Sequence, residues 1–211
     1  MINKLSKTKA IDMPVYTNIL FWLSLFFLAI WVNSLIGTTD IKNWAIENTL
    51  TLIALLFLIL NYNTFRFSDF SYALICIFLC LHVYGSKYTY AGNPFGYWLQ
   101  DVLHSSRNHY DRLVHFGFGF LLYYPLYESI TKWLKFPKED AIILPLLTIL
   151  SASGLYEVIE WLVADVFFKD QGISYLGIQG DVWDSQKDTA IAFLGAIVAA
   201  VFYVSYIKII R

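Results

Sequence analysis

The stretch AIILPLLTILSASGLYEVIEWLVADVFF, residues 141–168, decides the fold of this chain. It is longer than the roughly 20 apolar residues that a helix needs to cross a bilayer, so it predicts a membrane-spanning helix. Glu157 lies 16 residues into the run, which is roughly 24 Å along a helix and leaves about 6 Å of a ~30 Å hydrocarbon core. Carboxylates persist at such a depth when they face a polar cavity or a partner, so the run also indicates a functional site.

The rest of the chain has the composition of a membrane protein. Of its 211 residues, 58% are hydrophobic and 15% are charged, whereas soluble domains run near 45–50% apolar and about 25% charged. The net charge of −1 gives no indication of a nucleic-acid partner, and membrane lipids are the expected partners. The length suits a single domain, residues 1–211. Cys76 and Cys80 lie four residues apart in one apolar run, and we interpret them as packing residues.

Six apolar runs predict an all-α, polytopic bundle of about six transmembrane helices. They cover residues 16–36, 44–61, 70–85, 111–133, 141–168 and 187–210. The connection 86–110 contains the turn residues Gly92, Asn93 and Pro94, and we expect a short interfacial helix within it, around residues 97–104. Aromatic residues in this region resemble the interfacial belt of membrane proteins: Tyr84, Tyr88, Tyr90, Tyr97 and Trp98.

The basic residues predict how the chain is oriented. An even number of spans puts both termini on one side, which carries Lys4, Lys7, Lys9, Arg66, Lys132, Lys135, Lys138, Lys208 and Arg211. The other side carries Lys42, Lys87, Arg107, Arg112, Lys169 and Lys187. Because positive charge accumulates on the cytoplasmic side, both termini are predicted to be cytoplasmic in a bacterial inner membrane.

The ionisable residues of four runs fall at one membrane level, the outer one. They are His82 in the third run, Asp111 and His115 in the fourth, Glu157 and Glu160 in the fifth, and Asp181, Asp184, Lys187 and Asp188 at or just before the start of the sixth. Residues four apart share a helix face. We therefore expect helices three to six to surround one cavity, with the first two packed outside it. Small residues should allow these helices to approach closely: Gly117, Gly119, Ser153, Gly154, Gly195 and Ala196.

A metal site is one interpretation of this cluster. Mixed histidine and carboxylate ligands suit zinc, manganese or iron. The candidate ligands are His82, Asp111, His115 and Asp188. The chain has no HExxH motif to fix the assignment.

Two further interpretations stay open. In one, a metal-free cavity binds a lipid head group or relays protons, with Arg107, Arg112 and Lys187 holding a phosphate and with Glu157, Glu160 and Asp184 as the acid–base residues. In the other, Arg112 and Lys187 only neutralise neighbouring acids and fix the register of the helices. The residues alone do not decide whether the chain is an enzyme.

Long motifs resemble one known family. They are HVYGSKYTY (82–90), RNHYDRLVHFGFGFLLYYPLYE (107–128), SGLYEVIEW (153–161) and YLGIQGDVWDSQKDTAIAFLGA (175–196). These residues resemble the YjdF-like family of bacterial inner-membrane proteins over about residues 20–210. The resemblance implies a multi-spanning membrane protein and assigns no activity.

A shorter pattern is similar to VanZ-like membrane proteins. Asp111, Arg112, His115 and Phe116 resemble the D-K-x-x-H-F segment of that family, and Asp188 resembles its last acid. The chain differs at residue 192, where alanine stands in place of asparagine, and in the preceding helix, where Glu160 or Trp161 stands in place of the usual glutamine. The resemblance implies a four-helix core preceded by two helices.

The leading functional hypothesis is an outward-facing acidic and histidine-containing cavity. It would bind or act on an envelope lipid or lipid-linked substrate, with or without a divalent metal. The rival hypothesis is a small transporter or an ion- or proton-handling protein without covalent chemistry. Polar groups confined to one leaflet favour the first, because a transport path also needs polar groups in the other half of the membrane.

Overall fold

The computed structural model describes residues 18–138, 140–167 and 179–209, and within them the chain is all helical. The helices are α1 (Ile19–Leu35), α2 (Ile41–Asn61), α3 (Asp69–Lys87), α4 (Pro94–Val102), α5 (Tyr110–Glu128), α6 (Asp140–Leu162) and α7 (Asp184–Ile209). A π-helical turn extends α5 at Ser129–Trp133, and another extends α6 at Val163–Phe167. Lys169 and the start of the 175–196 motif lie outside the described residues.

With the two π-helical turns counted, the long helices begin and end within three residues of the predicted runs. α2 begins three residues early because the Asp40 carboxylate accepts hydrogen bonds from the backbone N–H groups of Lys42 and Asn43. α4 is the expected short helix of the 86–110 connection. It begins at Pro94, earlier than predicted, because Asn93 caps its first turn.

Four helices are long and apolar enough to cross a membrane: α2, α3, α6 with its extension (Asp140–Val166), and α7. α1 is apolar but has 17 residues. α5 has 19 residues and includes Asp111, Arg112 and Glu128. Large apolar side chains are exposed around the bundle, among them Phe26, Ile53, Leu147 and Val201. Such a surface suits contact with lipid.

α5 occupies the centre of the bundle and packs against α3, α6 and α7. Its crossing with α7 depends on glycine. A Cβ at Gly119 would overlap the carbonyl oxygen of Ala192, and one at Gly195 would overlap that of Phe116. The expected close approach of small residues is therefore confirmed here. Gly154 differs, because a Cβ there would meet open space.

The remaining helices pack around α5 unevenly. α1 and α2 contact α3, while α6 contacts α5 and α7. α2 and α6 have little direct contact with each other. The space between them is therefore available for a cavity.

Candidate functional site

Four helices bring ionisable side chains to one end of the bundle, which we call the acidic end. It is the end at which α3 and α6 finish and α5 and α7 begin. The tight crossing of α5 and α7 places their first turns side by side. The shared level that the sequence predicts is thus present in the structure.

Asp111, His115 and Asp188 form the tightest group at the acidic end. Each offers one ligand atom, and these atoms all lie within 4.8 Å of one another. His115 Nε2 is 3.5 Å from Asp111 Oδ1 and 3.6 Å from Glu157 Oε1. Asp111 and His115 meet because residues four apart share a face of α5. This acidic and histidine group has a composition that can hold a metal ion.

The three cations predicted to bind substrate are instead paired with aspartates. Arg107 Nη1 is 2.5 Å from Asp184 Oδ1. Arg112 Nη2 is 2.7 Å from Asp181 Oδ2 and 3.2 Å from Asp184 Oδ1. Lys187 is half exposed, and its Nζ is 2.7 Å from Asp181 Oδ2. These pairs agree with the interpretation in which cations neutralise neighbouring acids and fix helix register.

Asp181 lies three residues before the start of α7, outside the long helices. Hydrogen bonds from Lys187 and Arg112, together with the backbone N–H of Trp183, hold the pKa of its carboxyl well below its usual range. Asp181 is therefore ionised whenever the protein is folded near neutral pH.

Two buried carboxylate oxygens at the acidic end have no hydrogen-bond partner among the described residues. They are Glu157 Oε1 and Asp188 Oδ1. The Asp188 side chain is only 3% exposed, and its Oδ1 lies 3.7 Å from Arg112 Nε, too far for a hydrogen bond. Buried polar atoms are rarely left in this way, so these two oxygens call for an explanation.

His82 lies apart from the group formed by Asp111, His115 and Asp188. Its Nε2 is 3.1 Å from the carbonyl oxygen of Glu47, and its Nδ1 is 2.6 Å from the hydroxyl of Tyr90. Both ring nitrogens are therefore engaged elsewhere. Of the four metal ligands that the sequence suggests, the structure brings three together.

A turn after α3 explains how Tyr90 reaches His82. Thr89 and Tyr90 both have positive φ, which turns the chain back toward the bundle. A Cβ at Gly85 would lie 2.8 Å from the Tyr90 ring, so glycine makes room for it. The assignment of Tyr90 to an interfacial belt is therefore wrong, whereas Tyr97 and Trp98 are exposed as expected.

A cavity of about 360 Å³ opens beside the metal-ligand group. Its polar lining is gathered toward the acidic end: Glu47, His82, Tyr90, Asp111, His115, Tyr156 and Glu160. Apart from Ser153, the rest of the lining is apolar and comes from α2, α3, α5 and α6: Leu50, Ala54, Phe78, Leu79, Val114, Phe118, Leu122, Ala152, Leu155 and Ile159. Of the three predicted catalytic carboxylates, only Glu160 lines it. The cavity is thus amphipathic along its length.

The comparisons with known proteins agree with the motifs. A family model described as a predicted membrane protein, DUF2238, matches residues 19–208. The chain belongs to the DUF2238 family. It is 32% identical to the inner membrane protein YjdF of Escherichia coli strain K12. The aligned 169 residues cover 79% of this chain and 80% of that protein. No solved structure matches the chain.

The DUF2238 match reaches all seven described helices. One of them, α2, contributes a site residue that the sequence does not place in the cavity. Glu47 of α2 is buried, lines the cavity, and accepts a 3.4 Å hydrogen bond from the Tyr156 hydroxyl. The expectation that the second helix packs outside the cavity is therefore wrong. A signal was present, because Asn43, Glu47 and Thr51 recur every four residues and form a buried polar stripe on an apolar helix.

Proposed function

We propose that this chain binds a membrane lipid or lipid-linked molecule in the α2–α6 cavity, with the polar group at the acidic end. The observation that carries the proposal is the division of the cavity lining into a polar end and a longer apolar part. A volume of about 360 Å³ is within the usual range of ligand sites, about 300–1,000 Å³. It suits a small head group together with part of one acyl chain.

Exposed side chains at the rim of the cavity support entry of the ligand from the surrounding lipid. Leu50 of α2 is 40% exposed, while Leu155 and Ile159 of α6 are 61% and 44% exposed. All three also line the cavity. Because α2 and α6 scarcely touch, an apolar chain can slide between them without crossing a polar surface.

The polar end favours a head group that donates hydrogen bonds. Glu47, Asp111 and Glu160 supply acceptors, whereas the nearby arginines are paired with Asp181 and Asp184. An amine or a hydroxylated head group matches these acceptors better than a bare phosphate does. If the bound molecule reacts, Glu160 is the first candidate for acid–base catalysis, because Asp184 is paired with Arg107 and Arg112.

The transporter hypothesis receives less support. Among the described residues, the buried carboxylate at the opposite end is Glu128, and it is fully engaged by donors from Ser68, Ser71 and Lys132. The apolar part of the cavity separates it from the acidic end. A path for ions would need polar groups in between.

The orientation and the span count belong to the same proposal. We place the chain in a bacterial inner membrane, with α1, α2, α3, α5, α6 and α7 as six spans and both termini in the cytoplasm, which puts the acidic end outside. The excess of basic residues near the termini supports this, as does the inner membrane relative. The VanZ-like core would be α3, α5, α6 and α7, with Glu47 added from α2.

Cysteine accessibility tests the orientation. A single cysteine at position 92 should react with a membrane-impermeant maleimide in intact cells, and one at position 2 should react only after lysis. Labelling of position 2 in intact cells would contradict the proposed topology.

Lipid binding is tested by filling the cavity. Ala152→Trp places a large ring in the cavity wall, whereas Ala29→Trp adds the same ring to an exposed position on α1. Purified protein is titrated with phosphatidylethanolamine and with phosphatidylglycerol, and bound lipid is counted by native mass spectrometry. We expect wild type and Ala29→Trp to retain phosphatidylethanolamine preferentially, and Ala152→Trp to lose most of it. Equal lipid retention by all three proteins would overturn the proposal.

A further inference from the structure

The geometry at the start of α5 and α7 fits the coordination of one ion. With bonds of about 2.0–2.2 Å, two donor atoms of a tetrahedral zinc site lie about 3.3–3.6 Å apart. His115 Nε2 lies 3.5 Å from Asp111 Oδ1 and 3.6 Å from Glu157 Oε1. Asp188 completes the group, since its ligand atom lies within 4.8 Å of those of Asp111 and His115. Glu157 lies outside the three residues whose ligand atoms are all within 4.8 Å of one another, so its side chain would have to rotate toward His115 to join them.

The two unpartnered oxygens provide an independent observation. Asp188 Oδ1 and Glu157 Oε1 are buried and have no hydrogen-bond partner among the described residues. Their side chains are 3% and 10% exposed. A buried carboxylate oxygen without a donor is costly unless something positive binds it. Both belong to residues of the proposed coordination group.

The balance of charges also supports a bound cation. The cavity lining and the ion-pair network beside it contain seven carboxylates, namely Glu47, Asp111, Glu157, Glu160, Asp181, Asp184 and Asp188. The cations there are Arg107, Arg112 and Lys187, and their shortest contacts are to Asp181 and Asp184. Asp111, Glu157 and Asp188 are left with ion-pair distances of 3.5 Å or more. A divalent ion would offset this excess of negative charge.

We propose that Asp111, His115, Glu157 and Asp188 bind a divalent first-row transition-metal ion, zinc or manganese. One histidine and three carboxylates form a ligand set that suits these ions rather than copper. The ion lies where the wall of the lipid cavity meets the acidic end, since Asp111 and His115 belong to both. Metal binding does not depend on lipid binding, so either can fail without the other.

The test compares two histidines. Protein purified with a tag that contains no histidine is analysed for metals, stripped with EDTA, and melted in detergent with increasing Zn²⁺ or Mn²⁺. Wild type should carry about one equivalent of metal per chain and should gain melting temperature in a saturable way. His115→Ala should lose both properties. His82→Ala should keep both, because His82 lies apart from the group.

Asp188→Asn is a second variant, needed in case His115→Ala fails to fold. It keeps the shape of the side chain and replaces a charged oxygen ligand by a weaker neutral one, so it should fold and should lose at least tenfold in apparent affinity for Zn²⁺. Wild type without stoichiometric metal and without stabilisation by either ion would overturn the proposal. The same conclusion would follow if His82→Ala lost metal as completely as His115→Ala.

Discussion

The two ends of the bundle bury carboxylates in opposite ways. At the end where α3 begins, the buried carboxylate of Glu128 accepts hydrogen bonds from the Ser68 backbone N–H, from the hydroxyls of Ser68 and Ser71, and from Lys132 Nζ. It is 1% exposed, and both of its oxygens have donors. At the acidic end, carboxylates outnumber cations, and Asp188 and Glu157 each have an oxygen without a donor.

This difference separates a structural acid from acids that are available for binding. Glu128 joins the start of α3 to the end of α5, and its donors satisfy the site completely. Its lone pairs are occupied, so nothing is left for a ligand to use. The acidic end has free acceptors beside a cavity, which is the usual condition of a binding site. Burial alone would not have distinguished the two.

Removing the charge from each end should have very different effects on stability. Glu128→Gln replaces an acceptor of four donor groups by an amide whose N–H₂ faces other donors. Hydrogen bonds to charged groups are worth about 1.5–3 kcal/mol, so we expect a loss of about that size in the free energy of unfolding. Reversible unfolding in mixed detergent micelles measures it.

Asp188→Asn, measured in EDTA, is the matched control. It removes one of several like charges and keeps the shape of the side chain, so the metal-free protein should change by less than about 1 kcal/mol, or become more stable. If Asp188→Asn destabilised the metal-free protein as much as Glu128→Gln does, the two ends would not differ, and the acidic end would be a structural network.

The sequence predicted the helices and one half of the site. Run length and hydrophobicity located the six long helices to within three residues, because membrane helices must satisfy their backbone groups internally. The four-residue spacing of Asp111 and His115 predicted their shared face, and the small residues of α5 and α7 predicted the crossing that brings Asp188 to them. These features depend on local periodicity, which a single sequence contains.

The other half of the site depends on how separate helices meet. Glu47 lines the cavity because α2 faces α6 across a gap, and no spacing within either helix specifies that gap. His82 is engaged by Tyr90 because the chain reverses at two positive-φ residues after Gly85. Neither Thr89 nor Tyr90 is a residue type that usually marks such a turn. Contacts of this kind had to be seen in three dimensions.

The smallest expected effect belongs to Lys187, at the solvent-exposed edge of the acidic end. In one interpretation of the sequence, Lys187 neutralises the neighbouring acids, but in the structure its Nζ contacts Asp181, which also pairs with Arg112. Lys187→Met should therefore leave the buried carboxylates as they are. Its effect at neutral pH should be small, because exposed pairs contribute little and are screened by salt.

The stabilisation that Lys187 provides should decrease at acidic pH. Lys187, then Arg112, lowers the pKa of Asp181 in the folded protein. The stabilisation is therefore complete above the unfolded value, about 3.9, and is lost as the pH falls through the lowered folded value. The difference in melting temperature between wild type and Lys187→Met should be constant from pH 7 to about 5 and should shrink below about pH 4.

Lys87→Met is the matched control, because Lys87 donates to the carbonyl and side-chain oxygens of Asn33, which do not titrate. A Lys187→Met effect as large as that of Glu128→Gln, or one that grows in acid, would mean that Lys187 neutralises the buried acids after all.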